Sequence, residues 1–120
     1  MEAKHIQVGR TGEEIARRFL QSKGYKIIEQ NYRTKYAEID IVAKKGKAMV
    51  FVEVRTKTNE QFGTPEETFN YKKMQKLQKN AAAYISRMCW KGLYQIDAIC
   101  VLLDGNGNLQ RINHYENITS

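Results

Sequence analysis

Residues 37–58, AEIDIVAKKGKAMVFVEVRTKT, decide how this chain folds. Two largely apolar runs, 37–43 and 48–57, are joined through KKGK, and a glycine in so short a link marks a tight hairpin. Side chains alternate along a strand. In the second run Val50, Val52 and Val54 therefore share one face, and Phe51, Glu53, Arg55 and Lys57 share the other. In the first, Ile39 and Ile41 oppose Glu38, Asp40 and Val42. Each strand thus has one aliphatic face and one that mixes charge with apolar groups. The turn decides whether the charged faces coincide. With Lys45-Gly46 as a two-residue turn, Lys44 pairs with Lys47, Glu38 lies opposite Glu53, and Asp40 sits on the diagonal, roughly 7 Å away. A three-residue loop would send Asp40 to the far face.

The flanking segments supply a mixed sheet and two helices. Thr11 and Glu14 have capping-box spacing, Ile15, Phe19 and Leu20 form an apolar stripe, and Gly24 stops the first helix. Residues 25–33 read as a strand. Further on, Thr64, Pro65 and Glu67 open a helix that runs to about Met88. Met74, Leu77, Ala81, Tyr84, Ile85 and Met88 lie on one side of it, and Lys72, Lys73, Lys76 and Lys79 on the other. Asn70 offers a cap for a separate helix. The run YQIDAICVLL is the most apolar strand and is expected at the centre. DGNGN is a hairpin turn, and a short last strand follows. The order is α-β-β-β-α-β-β, an α/β fold with a mixed sheet.

At 120 residues the chain has the length of one domain, 1–120. No apolar run reaches the length of a membrane span and the first residues lack a signal-peptide core, so a cytoplasmic location is expected, with no membrane partner. Cys89 and Cys100 make no disulfide framework and lack zinc spacing. A net charge of +7 favours polyanions, nucleic acid first and an anionic membrane surface second.

Carboxylates converging beside apolar surface repel one another and rise in pKa unless a cation neutralises them. With oxygen donors and no nearby histidine or cysteine, that cation is Mg²⁺ or Mn²⁺. Mg²⁺ keeps positions for water and substrate phosphate, which suits phosphodiester hydrolysis. The plainer alternative is that Asp40 and Glu53 form cross-strand ion pairs with Arg55, Lys57 or Lys44.

Asp40 followed thirteen residues later by Glu53-Val54-Arg55, after a helix bearing a glutamate, resembles the PD-(D/E)XK nuclease core. More closely, the chain resembles the YraN family (uncharacterised protein family 0102) of small bacterial endonuclease-like proteins, similar to archaeal Holliday junction resolvases. The residues that carry this are Gly9-x-x-Gly12-Glu13, Gly24-Tyr25, Asn31-Tyr32-Arg33, EIDIVA at 38–43, VFVEVR at 50–55, Phe62-Gly63 and Lys73 to Leu77. The resemblance implies a restriction-endonuclease-like fold, a metal held by Asp40 and Glu53, and Glu13 as a further catalytic acid. Glu13 has a second reading, stabilisation of the helix dipole in a first turn. Two positions depart from the family pattern: Ala37 stands where a glycine is usual, and Arg55 where the nuclease motif has lysine. Arginine stays protonated, so it can orient water or neutralise phosphate but cannot act as a general base. Lys57, on the same face, can substitute.

Lys44, Lys72, Lys73, Lys76 and Lys79 are candidate DNA contacts, with a solvated helix face as the alternative for the last four. Tyr32, Arg33 and Tyr36 suit DNA contact or packing, Gln75 the site or the surface, Asp97 a hydrogen-bonding role and Trp90 packing. His5 and His114 have no assigned role. The expected function is Mg²⁺- or Mn²⁺-dependent cleavage of branched or junction DNA, without an organic cofactor. A symmetric junction would suit a homodimer. The alternatives are a non-catalytic nucleic-acid-binding module that retains the nuclease fold, and a partner for an acidic protein.

Overall fold

The computed structural model describes residues 4–35, 37–61 and 63–119, with side chains from residue 7 onward. Tyr36, Phe62 and the side chain of His5 lie outside the described residues. Helix α1 (Lys4–Ser22) leads into β1 (Lys26–Arg33), β2 (Glu38–Lys45) and β3 (Ala48–Lys57). A 3₁₀ turn (Glu66–Thr68), helix α2 (Tyr71–Arg87), β4 (Leu93–Leu103) and β5 (Leu109–Tyr115) complete the chain. The strands lie in the order β1-β2-β3-β4-β5. Every neighbouring pair is antiparallel except β3 and β4, which are parallel and joined through α2. The order α-β-β-β-α-β-β is the expected one, although β3 and not β4 is the middle strand.

Both sheet faces are covered. On one, Val50, Val52, Val54, Ile99, Val101 and Leu103 pack with Ala16 and Leu20 of α1. On the other, Val42, Phe51 and Ile96 pack with Leu77, Ala81 and Tyr84 of α2. The alternation read for β3 is therefore the one the core uses.

Several local expectations change. Helix α1 begins well before Thr11, so Thr11 caps nothing, and Glu14 pairs with Arg17 and Arg18 instead. At the second helix Thr64 accepts from the Glu67 N–H at 3.3 Å but starts only the 3₁₀ turn. Asn70 is the true cap, its Oδ1 accepting from the Lys73 N–H at 3.0 Å. Met88 falls past the helix end and is exposed. His114, given no role from sequence, is buried and meets Asp97 Oδ2 through Nε2 at 2.8 Å. Burial opposes charge on Asp97, yet bonds from His114, the Asn117 N–H and Gln95 hold its carboxyl below the usual range. This is the hydrogen-bonding role expected of Asp97. Among the described residues no helix is long and apolar enough to cross a membrane.

The hairpin turn is Gly46-Lys47, one residue later than expected, so that Lys45 pairs with Ala48. Gly46 takes φ +59° at the first central position, where a II′ turn requires glycine. A Lys45-Gly46 turn of type I′ would have forced a lysine to positive φ. The register moves by two, so parity survives. The paired stretch ends at Ile41–Val52, so Asp40 lies just past it and Glu38 is not paired with Glu53.

Gly12 fixes how closely α1 approaches β3. A Cβ there would fall within the Thr56 side chain, 2.7 Å from both its Cβ and its Cγ2, so no rotamer of Thr56 relieves the clash. Gly12→Ala is expected to cost about 2 kcal/mol of stability, read as a lower urea midpoint with an unchanged slope. An unshifted midpoint would show that α1 can retreat freely.

Candidate functional site

The site begins where regular alternation fails. Ile39 packs toward α2 and Ile41 toward α1, although strict alternation would put them on one face. Between them Asp40 is directed toward β3, where its Oδ2 accepts from the Val54 N–H at 2.8 Å. In β1, Gln30 pairs with Ile41 and Tyr32 with Ile39, which leaves Asn31 opposite Asp40. Asn31 has φ +53°, a left-handed conformation that asparagine tolerates better than most residues. With its amide nitrogen toward the acids, Asn31 donates to Glu13 Oε1 (3.2 Å) and Glu38 Oε1 (3.0 Å). The opposite orientation would point oxygen at oxygen.

Glu13, Glu38 and Asp40 converge there. One carboxylate oxygen from each lies within 4.8 Å of the other two. Glu53 adjoins them through a hydrogen bond with Asp40, and its Oε2 receives Arg55 Nη2 at 2.7 Å. Glu13 is deep within α1, so a first-turn dipole role no longer applies. Burial, then the charge and hydrogen bond of Asp40, then Glu38, push the Glu13 carboxyl up to about 8, against Arg10. Glu53 is pushed to about 9 by burial and by the hydrogen bond and charge of Asp40, with Arg55 and Lys73 opposing. Two carboxyl groups that hold protons near neutral pH are what crowded acids do when no cation shares the space.

Two of the acids, Glu13 and Glu38, line a cleft of about 850 Å³ together with Arg10, Arg33 and Arg55. Arg33 pairs with Glu38 at 2.6 Å. Arg55 stacks 5.5 Å from the Phe69 ring centre, and its Nε is buried with no partner among the described residues. The cleft therefore combines hard anionic oxygens with fixed guanidinium donors, a composition suited to a divalent cation beside a phosphate.

Residues 12–101, which contain the four acids with Asn31, Arg33 and Arg55 but not Arg10, match the family described as "Uncharacterised protein family UPF0102". The chain is 42% identical over 112 residues to a UPF0102 protein of Thermodesulfovibrio yellowstonii, covering 93% of this chain and 95% of that one. It is 42% identical over 109 residues to one of Caldicellulosiruptor bescii (89% and 92% covered), and 47% over 90 residues to one of Alkaliphilus metalliredigens (75% and 76%). The chain belongs to family UPF0102. This is the family that the sequence motifs resembled.

In this UPF0102 protein the expected residues divide into two groups. Glu13, Asp40, Glu53 and Arg55 come together. The cleft lining includes Glu13 and Arg55 but none of Asp40, Glu53 and Lys57; Asp40 and Glu53 join the group through their bonds to Glu13 and Arg55. Lys44 lies toward the hairpin, its Nζ 5.1 Å from the Trp90 ring centre, and so stands away from the acids. On α2, Lys73 is close enough to Glu53 to oppose its pKa rise, Lys72 is exposed, and Lys76 and Lys79 line a separate cavity. Tyr32 packs edge-on to Tyr84 at 4.9 Å, and Gln75 is exposed, donating to the Tyr71 hydroxyl. Ion pairing holds for Glu53 and Arg55, but along β3 and not across strands, while Asp40 is tied to Val54 and to the two glutamates.

Sequence reasoning had not assigned Glu38, Arg10 or Asn31 to the site. Glu38 carried a signal, two residues before Asp40 on the charged face. Arg10 stands one helical turn before Glu13, legible once Glu13 is accepted. Asn31 stood in the Asn31-Tyr32-Arg33 motif of the family resemblance, but nothing in the sequence placed it beside the acids.

Proposed function

We propose that this protein is a divalent-metal-dependent DNA endonuclease. The observation that carries the reading is the convergence of Glu13, Glu38 and Asp40 within 4.8 Å, the two glutamates lining a cleft that three arginines also line. The donor set is all carboxylate, which fits Mg²⁺ or Mn²⁺ and not a soft metal. Glu13, Glu38 and Asp40 would hold the ion, with Glu53 beside Asp40; when bound, it supplies charge neutralisation at the phosphate and acidifies water.

The chain's own residues account for the rest. Arg55 is held by Glu53 and Phe69 in the cleft lining, where its guanidinium charge can neutralise a phosphate, and it takes no proton. Arg10 and Arg33 neutralise neighbouring phosphates. Asn31 fixes Glu13 and Glu38, and the Val54 N–H fixes Asp40, so the acids are oriented before substrate arrives. The net charge of +7 and the PD-(D/E)XK-like order of motifs support the same reading.

The test is a panel of plasmid, duplex, flap and four-way-junction DNAs with Mg²⁺, Mn²⁺ or chelator. Strand cleavage with either metal and none in chelator is expected. Cleavage that survives chelation would overturn the proposal. A non-catalytic DNA-binding module is favoured by one observation, the arginine at position 55. It would give salt-dependent binding, losing about one unit of log–log slope per lost phosphate contact, and no cleavage with either metal.

A further inference from the structure

A second cavity, of about 700 Å³, adjoins the acidic cleft across the β1–β2 turn. Thr34 and Ala37 line it, while Arg33 and Glu38, the residues beside them in sequence, line the cleft. Thr34 and Ala37 are bonded to each other: the Thr34 N–H donates to the Ala37 carbonyl at 2.9 Å, and the Ala37 N–H to Thr34 Oγ1 at 3.2 Å. From α2 the cavity receives Lys76, Lys79, Asn80 and Ala83. Asn80 is only 5% exposed, and although its Oδ1 accepts from Thr34 Oγ1 at 3.4 Å, its buried Nδ2 has no partner among the described residues. A buried amide donor left unpaired is costly, so this one is placed for an acceptor that the chain does not supply.

The remaining chemistry narrows that acceptor. Among the described residues Lys35, Lys76 and Lys79 are in the lining and no carboxylate is, which favours an anionic ligand. The methyl groups of Ala37 and Ala83 leave room for something flat and apolar, which a free phosphate would not use. A nucleobase has an apolar face and acceptor atoms along its edge, and its flanking phosphates suit lysines. A base within a continuous duplex is stacked and paired and cannot enter.

We infer that this cavity receives one unpaired nucleotide of a DNA whose duplex part lies at the acidic cleft. Asn80 Nδ2 donates to the base edge, and Lys76 and Lys79 hold the adjoining phosphates. The inference rests on reading the cleft as a DNA site, and it narrows the substrate to DNA with a single-stranded branch or end.

Binding can be separated from cleavage by working in chelator, measuring fluorescence anisotropy of a blunt duplex and of the same duplex with a short single-stranded overhang. The wild type is expected to prefer the overhang roughly tenfold, the scale of one stacked and bonded base. Ala83 is exposed, so Ala83→Phe can fill the cavity with little effect on folding, which its melting temperature checks. That variant is expected to lose the preference and retain affinity for the blunt duplex. Asn80→Ala should also lose it; if that variant unfolds, Ala83→Phe decides alone. No preference in the wild type, or an intact preference in Ala83→Phe, would overturn the inference. A preference without metal-dependent cleavage would leave the cavity standing and remove the nuclease reading. Metal-dependent cleavage without a preference would do the reverse.

Discussion

Asp40→Asn is expected to abolish metal-dependent cleavage while raising the melting temperature of the metal-free protein at pH 8. Both effects come from the same atoms. Asp40 Oδ2 accepts from the Val54 N–H, and the side chain also shares hydrogen bonds with Glu13 and Glu53. An asparagine can keep the Val54 bond through Oδ1 and turn its two N–H groups toward the glutamates. It thereby supplies what a shared proton supplies in the wild type, without a negative charge. The strand geometry survives, the repulsion falls, and a cation loses one of its three close carboxylates. A loss of roughly 100-fold or more in cleavage rate, equivalent to about 2.7 kcal/mol, should accompany a gain of several degrees in melting temperature. Trading stability for a charged site is common where function needs crowded groups. Cleavage that persisted in Asp40→Asn would point to a contaminant, and a lowered melting temperature would show that Asp40 is a structural ion-pair partner and not one of a crowded set.

The strands around this site were legible because their period was unambiguous. VFVEVR divides by its period alone into an aliphatic face and a charged face, and the core uses that division. What could not be read was the path of β2 at Asp40. Its side chain replaces a backbone acceptor for Val54, and that exchange depends on how β3 is held by β4 on its other side, a parallel pairing made through α2. The turn position was a choice between two local geometries, settled by the cost of positive φ at a lysine. Glu38 was visible on the charged face but was placed opposite Glu53 by the earlier register. His114 gave no sign because its partner, Asp97, lies in another strand; only the pairing of β4 with β5 brings the two together. Position 55 illustrates the opposite case. The substitution of arginine for the motif's lysine was plain in the sequence, and the structure adds the ion pair with Glu53 that holds it.

The stability of the metal-free protein should fall as pH rises, in a way that Glu13→Gln removes in part. In the folded state burial and the charge of Asp40 push Glu13 and Glu53 up to about 8 and about 9, above the 4.5 of a glutamate in an open chain. A carboxyl raised in this way favours the folded state fully while both states are protonated, below about 4.5. That contribution is lost progressively as pH climbs toward 8 and 9, because the unfolded chain ionises freely and the folded one cannot. Glu13 is half-buried, so solvent screening trims its share to about 1 kcal/mol, or roughly 4 °C in melting temperature. Glutamine at position 13 mimics the protonated acid, able to donate to Asp40 and without charge to lose. The two proteins should therefore melt together at pH 5, and the variant should melt higher at pH 9 in chelator. Mg²⁺ or Mn²⁺ should reverse the order. The cation stabilises by binding only the folded, ionised cluster, and its upward shift should grow with pH as protons cease to compete. Parallel pH profiles for the two proteins would rule out a destabilising acid at Glu13. Equal shifts on adding cation to both would take Glu13 out of the metal site, whatever the cleavage assays gave.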